Sequence, residues 1–300
     1  MNKATVSRHS LHRWLTAPGL AALLLMLAAT AQAQTPPQTP TGGSDHLVEF
    51  NTGRTSRGNP VLMRAILTLP APAAQGTDTA VLFFRGVPGY ARIQRVADRD
   101  RNLIPFLRSS LPLFLEAGLA LVVMDCPTDQ WGGPSDVLPT ACMDDYRSSR
   151  THADDVRGVM QRLREDHGIR RFFIFGHSQG TISSRWLALN LGNEIAGSLH
   201  SAAVNMASPK GAYASVNNFP YERIAAPLLH MHHEQDACRG TPYTTVKAYS
   251  GGRLTTVRGG TPRGDPCGGQ HLHSYMGMEQ PVGRAMVQWF RTGSAPAVVE

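Results

Sequence analysis

Arg171-Phe172-Phe173-Ile174-Phe175-Gly176-His177-Ser178-Gln179-Gly180 decides the architecture of this 300-residue chain. The apolar run 172–175 has no polar alternation, which marks a strand covered on both faces. The residues from 180 to 191 then follow helical spacing. Between strand and helix stands G-x-S-x-G, a sharp turn that holds its central residue in a strained conformation above the strand ends. Crowding in such a turn leaves no room for side chains two positions either side, and Gly176 and Gly180 meet that demand.

Working outward, apolar strand candidates fall at 61–69, 80–84, 120–124, 195–204, 227–232 and 254–257, with amphipathic stretches at 103–116, 149–167 and 282–290. In the second of these, Val156, Val159, Met160 and Leu163 repeat at the interval of one buried helix face. Strands alternating with helices predict an α/β fold, a mostly parallel central sheet with helices on both faces. The expected domain runs from 45 to 292, followed by a polar tail at 293–300.

Residues 1–33 carry a basic start, an apolar stretch of about ten residues and Ala31-Gln32-Ala33, the pattern of a cleaved export signal. The apolar run is half of what a membrane span needs, so no stable membrane insertion is expected after cleavage. Residues 34–44, rich in proline and glycine, read as a flexible leader. Three of the 29 basic residues (Lys3, Arg8 and Arg13) and no acid precede position 34. The remaining 26 face 22 acids, so the net charge past the signal is near +4 rather than +7. No basic run interleaved with aromatics occurs, so no nucleic-acid partner is expected. Secretion or a periplasmic location implies an oxidising compartment, where Cys126, Cys142, Cys238 and Cys267 would form disulfides. Four cysteines permit three pairings. Cys126 with Cys142 and Cys238 with Cys267 close the shortest loops and are the pairing expected.

The strand, elbow and helix around Ser178 resemble the α/β-hydrolase family, and the resemblance extends from Val61 to about Arg291. It implies a nucleophile, an acid and a histidine in that chain order. Ser178 takes the first place. Asp236, just past the segment 227–232, takes the second ahead of Glu234 and Asp265, because functional groups gather at the C-terminal edge of such sheets. For the base, His271 and His273 both lie between the last strand candidate and the final helix. His273 is favoured, since His273-Ser274-Tyr275 is similar to the family's pattern there. The turn Arg85-Gly86-Val87-Pro88-Gly89 resembles the family's His-Gly-x-Pro-Gly, with Arg85 in place of the histidine. The resemblance thus assigns the oxyanion donors to the backbone N–H groups of Val87 and Gln179. His230, His232 and His233 invite a metal reading, but alternation along a strand leaves only a pair on one face, so neither metal nor cofactor is expected. The function this implies is a secreted serine hydrolase cleaving small carboxylic esters through an acyl-enzyme. Peptidase or amidase action, or a binding protein that kept only the fold, are the alternatives.

Overall fold

The computed structural model describes residues 43–71, 77–132, 142–206 and 214–300. The expected signal segment and nearly all of the leader lie outside these residues. Among them, nine strands form one sheet: β1 (Ser44–Ser56), β2 (Asn59–Leu69), β3 (Thr79–Phe84), β4 (Ala120–Met124), β5 (Arg171–His177), β6 (Gly197–Ser201), β7 (Leu228–His233), β8 (Leu254–Val257) and β9 (Val298–Val299). Their spatial order is β1-β2-β4-β3-β5-β6-β7-β8-β9. β1 and β2 pair antiparallel, β2 pairs antiparallel with β4, and every other pairing is parallel. The helices are α1 (Arg99–Asn102), α2 (Pro105–Glu116), α3 (Asp144–Arg147), α4 (Arg150–His167), α5 (Gly180–Leu191), α6 (Tyr243–Tyr249) and α7 (Glu279–Thr292).

The central strands are apolar throughout because both faces are covered. Val81, Phe83, Leu121, Val123, Phe173 and Phe175 pack with α2 and α7. Their neighbours Ala80, Leu82, Ala120, Val122, Phe172 and Ile174 pack with α4 and α5 on the other face. Pro105 opens α2, where the missing N–H costs nothing. Ser149 caps α4 by accepting from the His152 N–H, and Gly168, at φ 69°, closes it.

Three differences from expectation bear on the sheet. β1 was not expected, since the leader was to end at 44 and the first strand to start at 61. Of β1 only Val48 is buried, so it carries almost no hydrophobic signal. The segment 195–204 keeps only its middle as β6, because the chain turns out of the sheet at Ala202, which has φ 44°. The expected tail contains β9, whose two residues pair with Thr256 and Val257 of β8. The register that matters most is between β3 and β5, where Phe84 pairs with Gly176. Two residues further along each strand stand Gly86 and Ser178, which this register sets side by side.

Candidate active site

Ser178 follows β5 with φ 55°, a left-handed conformation that a non-glycine residue rarely adopts. Crowding explains its flanking glycines. A Cβ on Gly176 would stand 2.4 Å from the Gly180 carbonyl oxygen, and one on Gly180 would stand 1.9 Å from that of Phe84. Gly180→Ala is therefore expected to lower stability by more than about 3 kcal/mol, since backbone rather than a movable side chain must yield. Urea denaturation checks this, and a loss under about 1 kcal/mol would contradict it.

Asp236 lies three residues beyond β7 and His273 in a short 3-10 turn, Leu272–Ser274. The His273 Nδ1–H donates to Asp236 Oδ2 at 2.9 Å. That fixes the tautomer, leaving the lone pair on Nε2, which is buried without a partner among the described residues. The same carboxylate accepts from the Thr241 hydroxyl at 2.9 Å and the Cys238 N–H at 2.9 Å. The His232 Nε2–H donates to the Thr241 carbonyl at 2.9 Å and also lies 3.2 Å from Asp236 Oδ2. Burial alone would raise the Asp236 pKa. The hydrogen bonds from His232 and His273, with their charge, outweigh it and hold the carboxyl well below the usual range.

Neighbours of Ser178 and His273 are themselves joined. His177 bonds Ser201 Oγ at 3.0 Å and lies 3.4 Å from Ser274 Oγ, so the residue before Ser178 touches the residue after His273. Ser201 in turn contacts the Tyr275 hydroxyl, which donates to the Met231 carbonyl. Burial and the nearby His273 push the His177 pKa well below 6.5 and keep that ring neutral.

Ser178, His273, Val87 and Gln179 all line one cavity of about 690 Å³. Among the described residues neither the Val87 nor the Gln179 backbone N–H makes a hydrogen bond, and nor does Ser178 Oγ. A Cβ on Gly86 would come within 3.0 Å of the Ser178 Cβ, so the turn before Val87 presses against the serine. The turn is braced by buried Arg147, which donates to the Gly89 and Cys142 carbonyls, each at 2.6 Å. Asp125 accepts the Ala91 and Ile93 N–H groups just beyond it, each at 2.7 Å.

Disulfides join Cys126 to Cys142 and Cys238 to Cys267. Cys238 and Cys267 also line the cavity, and their bond ties the loop carrying Asp236 to the loop leading to His273. Cys238→Ser combined with Cys267→Ser is expected to cost about 3 to 4 kcal/mol, the chain-entropy value for a loop of this length, and to lower ester turnover well below the melting point. Melting curves and rate assays read the two effects, and full activity in the double variant would reject the tether.

The other sequence candidates stand apart. Glu234 pairs with Arg258 at the surface. Asp265 lines the cavity, but among the described residues its carboxylate accepts only the Cys267 N–H. His271 precedes the 3-10 turn and leaves His273 to meet Asp236. His230 packs among the rings of Tyr221, Tyr249 and His200, while the His233 Nε2–H donates to the Gly259 carbonyl. Sequence reasoning missed His232 and Thr241 as partners of the acid. The spacing of four residues from His232 to Asp236 across the end of a strand was the available signal for the former. Nothing marked Thr241.

No protein-family model matches the chain, and no curated protein matches it. Solved structures do. A dienelactone hydrolase from Anabaena variabilis is similar over 83% of this chain and 98% of its own, at 17% identity and a TM-score of 0.54. Est1E from Butyrivibrio proteoclasticus covers 82% of this chain and 97% of its own at 13% identity, with a TM-score of 0.52. An esterase from Pyrococcus furiosus covers 84% and 93% at 13% identity, with a TM-score of 0.51. Together with the strand order and the elbow at Ser178, these likenesses establish that the chain has the α/β-hydrolase fold. The activities of those proteins belong to them.

Proposed function

We infer that this chain is a serine hydrolase that cleaves carboxylic esters through an acyl-enzyme on Ser178. The observation that carries the reading is His273, whose Nδ1–H is held by Asp236, whose Nε2 has no partner among the described residues, and which lines the same cavity as Ser178. In this mechanism Nε2 takes the hydroxyl proton as Ser178 Oγ attacks the acyl carbon. Asp236 stabilises the imidazolium, and the N–H groups of Val87 and Gln179 receive the negative oxygen. Collapse breaks the bond to the alcohol oxygen, which takes the proton back from His273. Water then attacks the acyl carbon with the same base, freeing the acid and restoring Ser178.

Two disulfides support a place outside the cytoplasm, in keeping with the export signal expected at 1–33. Labelling the protein with a fluorophosphonate tests the chemistry. Covalent modification mapped to Ser178 is expected, and an unlabelled but folded protein would overturn the assignment.

A further inference from the structure

Arg85 occupies the place where the family's turn carries histidine, directly before the Gly86 that presses on Ser178. Arg85 is one of the residues that line the catalytic cavity. Among the described residues it makes one side-chain hydrogen bond, from Nη1 to Asn102 Oδ1 at 2.6 Å, and no carboxylate stands within ion-pair distance. Asn102 is itself oriented by the bonds of its amide nitrogen to the Ala91 and Asp98 carbonyls, so the guanidinium is held rather than loose. Arg85 Nε is buried with no acceptor.

Nearby acids are otherwise engaged. Asp125 spends both oxygens on backbone N–H groups, and Asp98 meets Arg101 at 3.2 Å. Arg101, paired with Asp98, also lines the cavity, and among the described lining residues Asp265 is the single acid. Asp125 acts on the Arg85 guanidinium through space but does not pair with it, and a carboxylate that did pair would add strong, geometrically selective hydrogen bonds.

We propose that Arg85 is a specificity residue that binds a carboxylate carried by the substrate, so that the preferred substrates are small esters or lactones of anionic compounds. This rests on the serine hydrolase reading of the same cavity. Neutral esters of equal shape lack the group that Arg85 awaits.

Two ester pairs test the proposal by proton release in a pH-stat. Monoethyl succinate against ethyl levulinate places the charge on the acyl side, and acetoxyacetate against acetoxyacetone places it on the alcohol side. In at least one pair the native enzyme is expected to prefer the anion in kcat/KM. That ratio is expected to fall by about tenfold to a hundredfold in Arg85→Gln and to recover partly in Arg85→Lys. No preference in either pair, or a variant that slows both members alike and leaves the ratio unchanged, overturns the assignment. Calorimetry of the two anionic esters on Ser178→Ala protein separates this from the catalytic reading. Affinity that weakens at least tenfold when Arg85→Gln is added supports the carboxylate site even if no ester is turned over, and equal affinity overturns it.

Discussion

Ser178→Ala is expected to lower turnover of an activated ester by about three to six orders of magnitude, because a nucleophile that works with its base is lost as a unit. The fold is expected to survive. The serine hydroxyl makes no hydrogen bond among the described residues, and alanine tolerates the same backbone little worse than serine. His273→Ala is expected to fall nearly as far, and the double variant little further, since each removal already breaks the proton transfer. His271→Ala, two residues away, is expected to stay within about tenfold of the native rate, because among the described residues it is His273, not His271, that bonds Asp236. Rates on a 4-nitrophenyl ester, with circular dichroism as the control for folding, decide all four. Substantial turnover by Ser178→Ala would move the nucleophile elsewhere, and exchanged results at 271 and 273 would move the base.

What could be read from the sequence follows from where the physical signal is strong. The segments 80–84, 120–124 and 172–175 announce themselves because both faces of a central parallel strand are buried, and they are strands in the structure. The elbow was legible because steric crowding restricts its residues to glycine. β1 was not, because an edge strand with one buried side chain has the composition of a loop, and β9 is only two residues long, paired with β8 at the sheet's edge. At the candidate site, chain order pointed to Asp236 and His273, and the structure joins them at 2.9 Å. The surroundings of the carboxylate depend on how loops fold back, which is why Thr241, five residues beyond Asp236, went unseen. Arg85 was visible as a departure from the family turn, but that no carboxylate among the described residues pairs with it required the positions of Asp98 and Asp125.

Acidification is expected to unfold this protein well above the pH at which its carboxylates titrate. His152, His177, His200 and His230 are 1%, 2%, 0% and 0% exposed. Burial is the main cause that lowers the pKa of each, to about 3 for His200 and well below 6.5 for the other three. The charge of Arg147 adds to this at His152, that of His273 at His177, and that of Arg185 at His200. Among the described residues His152 and His230 have no hydrogen-bond partner on either nitrogen, so neither has an acceptor there waiting for a second proton. The unfolded chain binds those protons near pH 6.5, whereas the folded chain binds them only at lower pH. Stability from keeping the four rings neutral is therefore complete above about pH 6.5 and is lost as pH falls toward the folded values. Each ring contributes a slope of up to about 1.4 kcal/mol per pH unit. Four of them remove about 5 kcal/mol between pH 7.5 and 5.5, comparable with the whole stability of many domains. Urea midpoints measured across that range are expected to drop steeply. His230→Phe retains a ring among Tyr221 and Tyr249 and removes one titrating group, so it is expected to reduce the pH-dependent loss by about 1 kcal/mol whatever it does to stability at pH 7.5. Stability that stays level from pH 7.5 to 5.5 would mean that these histidines find water or partners on protonation, and would reject the neutral, buried state assigned to them.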